Sequence, residues 1–247
     1  QYPDYWPETV RALIVHSAQW TSAMQARFLP TLEQDRRQGH YRQLLRYCGY
    51  GVPSMDDLFW STQSALTLIA QDSLQPFFKD GSQIKTRDIN LHSLPWPIEA
   101  LQALPEETRV EMKVTLSYFI EPNPGERGWA NKYRYASHGL RFDVRRPLES
   151  LEAFQQRVNQ QARDEEASRR AVKRRAVKES GTWDLGENLR KLGSVHSDTW
   201  HGSAAELAER GYIAVYPVLG WWKERANLQR WGKRARYALI VTIKTPV

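Results

Sequence analysis

From Val110 to Ile120 the chain alternates strictly. Met112, Val114, Leu116, Tyr118 and Ile120 fall on one side, against Glu111, Lys113, Thr115 and Ser117 on the other. Successive side chains of a strand point to opposite faces, so a period of two commits this segment to a sheet with one apolar face buried. Pro122-Asn123-Pro124-Gly125 ends the strand, because proline and glycine favour turns. Tyr133 to Val144 is the expected partner strand. Leu66, Leu68 and Ala70 alternate with polar neighbours, as do Ile84, Thr86 and Ile89 less regularly. The same texture resumes after Gly181, in Leu192 to Trp200, Tyr212 to Leu219 and Arg236 to Thr245. Strands that continue after an intervening helix point to a single β-sandwich rather than two β domains.

The remaining segments read as helices. Pro7 suits a first helical turn, where its missing N–H costs nothing. Val10, Leu13, Ile14 and Ala18 then recur at helical spacing, while Ala12 and Val15 make the opposite side apolar as well. A helix apolar on more than one side is expected inside a larger body. Since the chain opens at Gln1 and little precedes the helix, that body is expected to be an upstream part of a longer protein. A second helix near Tyr41 to Tyr47 stops at Gly49-Tyr50-Gly51-Val52-Pro53, and Met55 to Trp60 forms a short third. Leu148 to Lys178 reads as a long polar helix whose narrow stripe is Leu151, Phe154, Val158 and Ala162. Ala204 to Arg210 is a short helix with Ser203 as its cap and Gly211 as its stop.

Composition sets the class. Of 247 residues, 41% are hydrophobic and 26% charged, the balance of a globular chain. The longest apolar runs, Tyr212 to Leu219 and Tyr237 to Ile243, fall well short of the ~20 residues of a membrane-spanning helix, so no membrane partner is expected. The single cysteine, Cys48, has no internal disulfide partner and reads as a small core residue. This fits a reducing, cytoplasmic compartment better than export, which stays as the alternative. The formal charge is +7, and much of it lies in Arg169, Arg170, Lys173, Arg174, Arg175 and Lys178. This run is a candidate surface for an acidic partner, although it follows Asp164-Glu165-Glu166 and mixed signs on a helix usually mark a solvated face.

Catalytic motifs are lacking. His196-Ser197-Asp198 holds the residue types of a serine-peptidase triad, but neighbours on a strand point to opposite faces and cannot form the relay with one another. His196 and His201 are likewise on opposite faces, which argues against a shared metal. There is no CxxC, no HExxH and no glycine-rich phosphate loop. No catalytic residue, metal ligand or cofactor site is therefore expected in this chain. Trp221 and Trp222, with Lys223, Arg225 and Trp231 nearby, could stack on bases or sugars, or pack over a sheet edge with cation–π support. The packing role is the favoured one.

Tyr2-Pro3-Asp4-Tyr5-Trp6-Pro7-Glu8-Thr9-Val10-Arg11-Ala12-Leu13-Ile14-Val15-His16-Ser17-Ala18 resembles the segment that follows the catalytic serine in the subtilisin-like serine peptidases, the subtilases. In that family the serine opens a buried helix within a Gly-Thr-Ser motif, and a proline-containing link leads to a second helix of this pattern. Ser17 matches a small structural residue at the end of that second helix, not the nucleophile. Gly49-Tyr50-Gly51-Val52-Pro53 resembles the turn that closes the subtilase catalytic domain. Val114-Thr115-Leu116-Ser117-Tyr118, with Glu121-Pro122 and Pro124-Gly125, resembles the first strong strand of the jelly-roll domain often appended to it. Tyr135-Ala136-Ser137-His138-Gly139-Leu140 and Gly220-Trp221-Trp222 are similar to a group of large bacterial subtilases.

The resemblance implies an α+β chain. Residues 1–60 would be the last helices of a subtilase α/β catalytic domain, and residues 61–247 a jelly-roll-like β-sandwich with a helical insertion at about 148–179. It implies no catalytic residue here, since the family's aspartate, histidine, oxyanion asparagine and serine have no counterparts. It further implies the upstream catalytic portion as a partner, protein or peptide substrates for the whole, and an ATPase as a conceivable companion. The competing expectation is a stand-alone module that binds nucleic acid or carbohydrate through the basic helix and the tryptophans. From Arg163 to Lys178 the apolar stripe gives out, leaving little to offset an ordering cost of about 1–2 kcal/mol per residue. Limited trypsin digestion is expected to cut there first, and early cleavage within Val110 to Ile120 instead would refute the assignment of the core.

Overall fold

The computed structural model describes residues 3–29, 37–63, 66–87, 89–105, 108–124, 135–167 and 182–244. The described residues form an α+β fold with nine α-helices and only antiparallel strand pairs. The chain opens with α1 (Pro7–Ser17), β1 (Ala18–Gln19), α2 (Ser22–Phe28), α3 (Arg37–Cys48), β2 (Val52–Pro53) and α4 (Met55–Gln63). There follow β3 (Thr67–Leu74), β4 (Phe77–Asp80), β5 (Gln83–Thr86), β6 (Asn90–Ser93), α5 (Ile98–Ala103), β7 (Arg109–Tyr118), β8 (Gly139–Val144) and α6 (Leu151–Ala167). The chain continues through β9 (Thr182–Trp183), α7 (Gly186–Arg190), β10 (Val195–Ser203), α8 (Ala204–Ala208), β11 (Tyr212–Val218), α9 (Trp221–Glu224) and β12 (Ala235–Lys244).

The main sheet has five strands in the order β3-β12-β7-β10-β9, and a smaller one runs β6-β11-β8. The apolar face of β7 supplies the centre of the core. Met112, Val114, Leu116 and Tyr118 pack with Trp200, Leu239 and Val241 of the same sheet, and with Leu140, Phe142, Val144, Ile213 and Val215 of the smaller one. Each such buried side chain contributes about 1.5–3 kcal/mol. The expected pairing of β7 with Tyr133 to Val144 is not what forms. Both edges of β7 are taken, by β10 along Ser203–Val195 and by β12 along Lys244–Tyr237. β8 pairs with β11 instead and faces β7 across the core.

The other face of β7 holds the main surprise. A strand with alternating pattern ordinarily turns its polar residues to water, yet Thr115 and Ser117 are fully buried. α1 lies over them. His16 is hydrogen-bonded through Nδ1 to Thr115 Oγ1 at 2.9 Å and through Nε2 to Thr242 Oγ1 at 3.0 Å. Arg11 Nε donates to Ser117 Oγ at 2.9 Å and Nη2 donates to the carbonyl of Tyr118. Ala12 and Leu13 complete the contact against Ala238 and Ile240. The inner side of α1 is thus satisfied within the chain, contrary to the expectation that an upstream body must cover it. Only its outer side, with Val10 and Ile14 at 48% and 45% exposure, remains apolar and open.

Two local features set the approach to this face. α1 leads into β1, which pairs with β2 only because Gly51 has no side chain. Its φ is +98°, and a Cβ would lie 2.2 Å from the carbonyl oxygen of Gln19. On the far side of the smaller sheet, Phe154 and Val158 of α6 pack on Ala214, Tyr216 and Val218, as the stripe predicted. The helix starts at Leu151, not Leu148, which has φ +60° and is almost fully exposed. Ser150 Oγ accepts from the Ala153 N–H at 3.1 Å and serves as the start signal. Arg157 secures it by charge-assisted bonds to Glu149 and Asp143.

Burial holds three imidazoles neutral: His16 well below the usual histidine range, His138 at about 4 and His196 at about 3. Unfolding exposes them to water, where they protonate near pH 6.5. Burial acts oppositely on Asp198, raised to about 6, which retains a proton on folding. As the pH falls below 6 the unfolded chain therefore takes up more protons than the folded one, and stability falls on acidification. Urea midpoints measured from pH 7 to pH 4.5 are expected to drop steeply below pH 6.5. A flat profile would show that these imidazoles are not held neutral.

Candidate functional site

A concavity lies where the end of α1, the turn before β2 and the segment before α7 meet the polar end of the main sheet. It is a cavity of about 350 Å³. Ala18, Gln19 and Trp20 line it from the turn after α1, and Tyr50 from the turn after α3. The sheet contributes Glu111 and Lys113 from β7, Ser197, Asp198, Thr199 and His201 from β10, and Lys244 from β12. Register explains the grouping, since Thr242, Lys113 and Thr199 stand abreast, as do Lys244 and Glu111.

Lys113 Nζ donates to the carbonyl oxygen of Ala18 at 2.7 Å. Burial lowers its ammonium to about 8, and the charge of Lys244 adds to this, against the opposing carboxylates of Asp57, Asp184 and Glu111. Lys244 itself is held by Asp57 at 3.0 Å. His201 lies between Glu111, at 3.4 Å from Nδ1, and Asp184, at 3.2 Å from Nε2. Tyr41 donates its hydroxyl to the other oxygen of Asp184 at 3.1 Å. Asp198 accepts from the N–H groups of Leu185 and Gly186 at 2.9 and 3.0 Å, and fixes the entry to α7. Its raised pKa reflects burial first, only partly countered by Arg190 and those two donors.

A chain of hydroxyls runs from the cavity wall into the sheet. Ser197 Oγ is 2.8 Å from Thr115 Oγ1, which meets His16; beyond His16, Thr242 Oγ1 is 2.9 Å from Thr67 Oγ1. Sequence reasoning singled out His196-Ser197-Asp198 as a set unable to act as a triad, and the geometry agrees. His196 Nε2 donates to the carbonyl of Gly193 at 3.1 Å, on the opposite side of β10 from the Ser197–Thr115 contact. His196 and His201 are likewise separated by the strand. Among the described residues no group of three or more His, Cys, Asp or Glu side chains could hold a metal ion.

Trp221 and Trp222 are buried. Trp221 Nε1 donates to the carbonyl of Glu121 at 2.9 Å and Trp222 Nε1 to its carboxylate at 3.0 Å. Trp222 packs against His138, ring centroids 4.8 Å apart and planes tilted by 36°. As a partner surface these two indoles are withdrawn; they pack, as the favoured expectation had it. Arg169, Arg170, Lys173, Arg174, Arg175 and Lys178 lie outside the described residues.

Sequence reasoning missed Lys113, Asp184, Trp20 and Tyr50. The one available signal was Lys113 itself, a lysine in the middle of a strand with a strictly alternating apolar face. No protein-family model matches the chain, nor does any curated protein or solved structure. No described helix is long and apolar enough to cross a membrane. With Ser197 committed to Thr115 and His196 aimed elsewhere, a fluorophosphonate probe is expected to leave Ser197 and Ser17 unlabelled, and casein uncut. Labelling of either serine would overturn this geometry.

Proposed function

We propose that the chain is the carboxy-terminal part of a subtilisin-like serine endopeptidase. In this reading residues 1–60 are the last helices of the α/β catalytic domain, and the two facing sheets with their helical insertion are a jelly-roll-like sandwich appended to it. The parent would cleave peptide bonds by acyl transfer from a serine assisted by histidine and aspartate. This portion packs beneath the serine-bearing helix and adds a surface for substrate or partner.

The observation that carries the reading is apolar surface on the two helices that resemble the catalytic domain. α1 and α4 pack on one another. α1 leaves the i,i+4 pair Val10 and Ile14 at 48% and 45% exposure, and α4 leaves Met55 at 62%. Apolar surface on adjoining helices supports a contact with another polypeptide. The rival reading, a nucleic-acid or carbohydrate module, loses the tryptophan pair, which is buried.

Ile14→Asp in the longer protein is the test. A charge at that contact is expected to lower peptidase activity at least tenfold, while the thermal midpoint of the present chain, whose Ile14 is already in water, shifts little. Unchanged activity with Ile14→Asp, or a coding sequence lacking a Gly-Thr-Ser motif shortly upstream, would refute the proposal.

A further inference from the structure

The cavity beside Lys113 belongs to no part of the peptidase reading and stands independently of it. A lysine on the central strand of a sheet, at the floor of a cavity, is in an unusual position. Among the described residues no carboxylate oxygen lies within ion-pair distance of Lys113 Nζ; the amine is held by a neutral acceptor, the Ala18 carbonyl. The neighbouring carboxylates have other partners: Asp57 holds Lys244, while Glu111 and Asp184 flank the His201 ring. An uncharged amine bound through one N–H to Ala18 keeps its lone pair free. Lys244, His201, Ser197 and Thr199 line the same space, so a ligand carboxylate would find cationic and hydroxyl donors there.

We propose that Lys113 is an amine nucleophile, and that the cavity takes a small carboxylate-bearing aldehyde or ketone, which Lys113 captures as an imine. The nitrogen lone pair adds to the carbonyl carbon, and a proton passes from nitrogen to oxygen to give the carbinolamine. Loss of that hydroxyl as water forms the carbon–nitrogen double bond. The amine and the carbonyl compound are consumed, imine and water are formed, and no redox partner is needed. A cavity of about 350 Å³ is at the small end of ligand pockets, which run from roughly 300 Å³, and suits a compound of a few carbons. The groups that set the protonation of Lys113 come from every side of the cavity: Lys244 of β12 disfavours the ammonium, as does burial, while Asp57 of α4, Asp184 before α7 and Glu111 of β7 favour it.

Glyoxylate with sodium cyanoborohydride, which reduces the imine and so fixes the adduct, tests this on the full chain at pH 7. Peptide mapping is expected to find Lys113 modified first. Burial lowers the Lys113 ammonium to about 8, so more of it is neutral at pH 7 than of an ordinary lysine, and Lys113 is expected to outpace Lys79 and Lys85 by roughly tenfold or more. Lys244→Met, which removes both the neighbouring charge and a donor to the ligand carboxylate, is expected to slow the Lys113 reaction with glyoxylate several-fold at pH 7 and to narrow its lead over acetaldehyde. Acetaldehyde, which lacks the carboxylate, is expected to react more slowly than glyoxylate at Lys113, with a glyoxylate-to-acetaldehyde rate ratio several-fold higher there than at Lys79. Lys113→Arg, checked for native circular dichroism, is expected to lose the fast adduct. If wild-type Lys113 is labelled no faster than Lys79 and Lys85, the proposal fails whether or not either variant folds. The same rate ratio at Lys113 as at Lys79 would overturn the assigned ligand class.

Discussion

One buried imidazole ties the first helix to the sheet. His16 spans two strands, bonding a threonine on each, β7 through Thr115 and β12 through Thr242. A hydroxyl or imidazole buried without a partner costs about 1–3 kcal/mol, so a helix can cover this polar face only in a register that satisfies the groups beneath it. A purely apolar helix would slide by a turn at little cost. This one cannot, because moving His16 would bury an imidazole away from both its threonines and moving Arg11 would pull a guanidinium off Ser117 and the Tyr118 carbonyl. The position of α1 then fixes the turn that follows it. The Ala18 carbonyl meets Lys113 there, and Trp20 walls the cavity.

β7 accordingly does two kinds of work with one alternating sequence. Its apolar side joins the main sheet to the smaller one through side chains that interlock without direction. Its polar side is directional: each of Lys113, Thr115 and Ser117 is bonded to a residue of α1, to the first residue after it or to the neighbouring strand. Packing supplies most of the stability and the hydrogen bonds supply the register. The cavity lies where the helix ends and the polar face continues, so its lining is a remainder of that face left uncovered.

How much of this was legible in the sequence depended on whether the signal was local. The strand period of Val110 to Ile120, the stripe of α6 and the Ser203 cap, which closes a full capping box with Glu206, each rest on residues near one another in the chain, and each was read correctly. Strand pairing was not: β8 follows β7, yet lies across the core from it, because β10 and β12 match β7 over its length. The covered polar face was equally hidden. Thr115 and Ser117 look like solvent residues until a helix from roughly a hundred positions away is laid on them. The cavity was hidden for the same reason, since Trp20, Tyr50, Lys113 and Asp184 come from four separate segments, with no spacing that sequence could display.

The two ends of the segment between α6 and β9 belong to different sheets. α6 is fastened to the smaller sheet by Phe154, Val158 and Arg157, whereas β9 is the edge strand of the main one. The sheets are already joined through the core, so this connection need not hold them together. A label on α6 therefore reports on the smaller sheet and one on β9 on the main sheet, so a pair of labels placed there reads any separation of the two layers as a single distance.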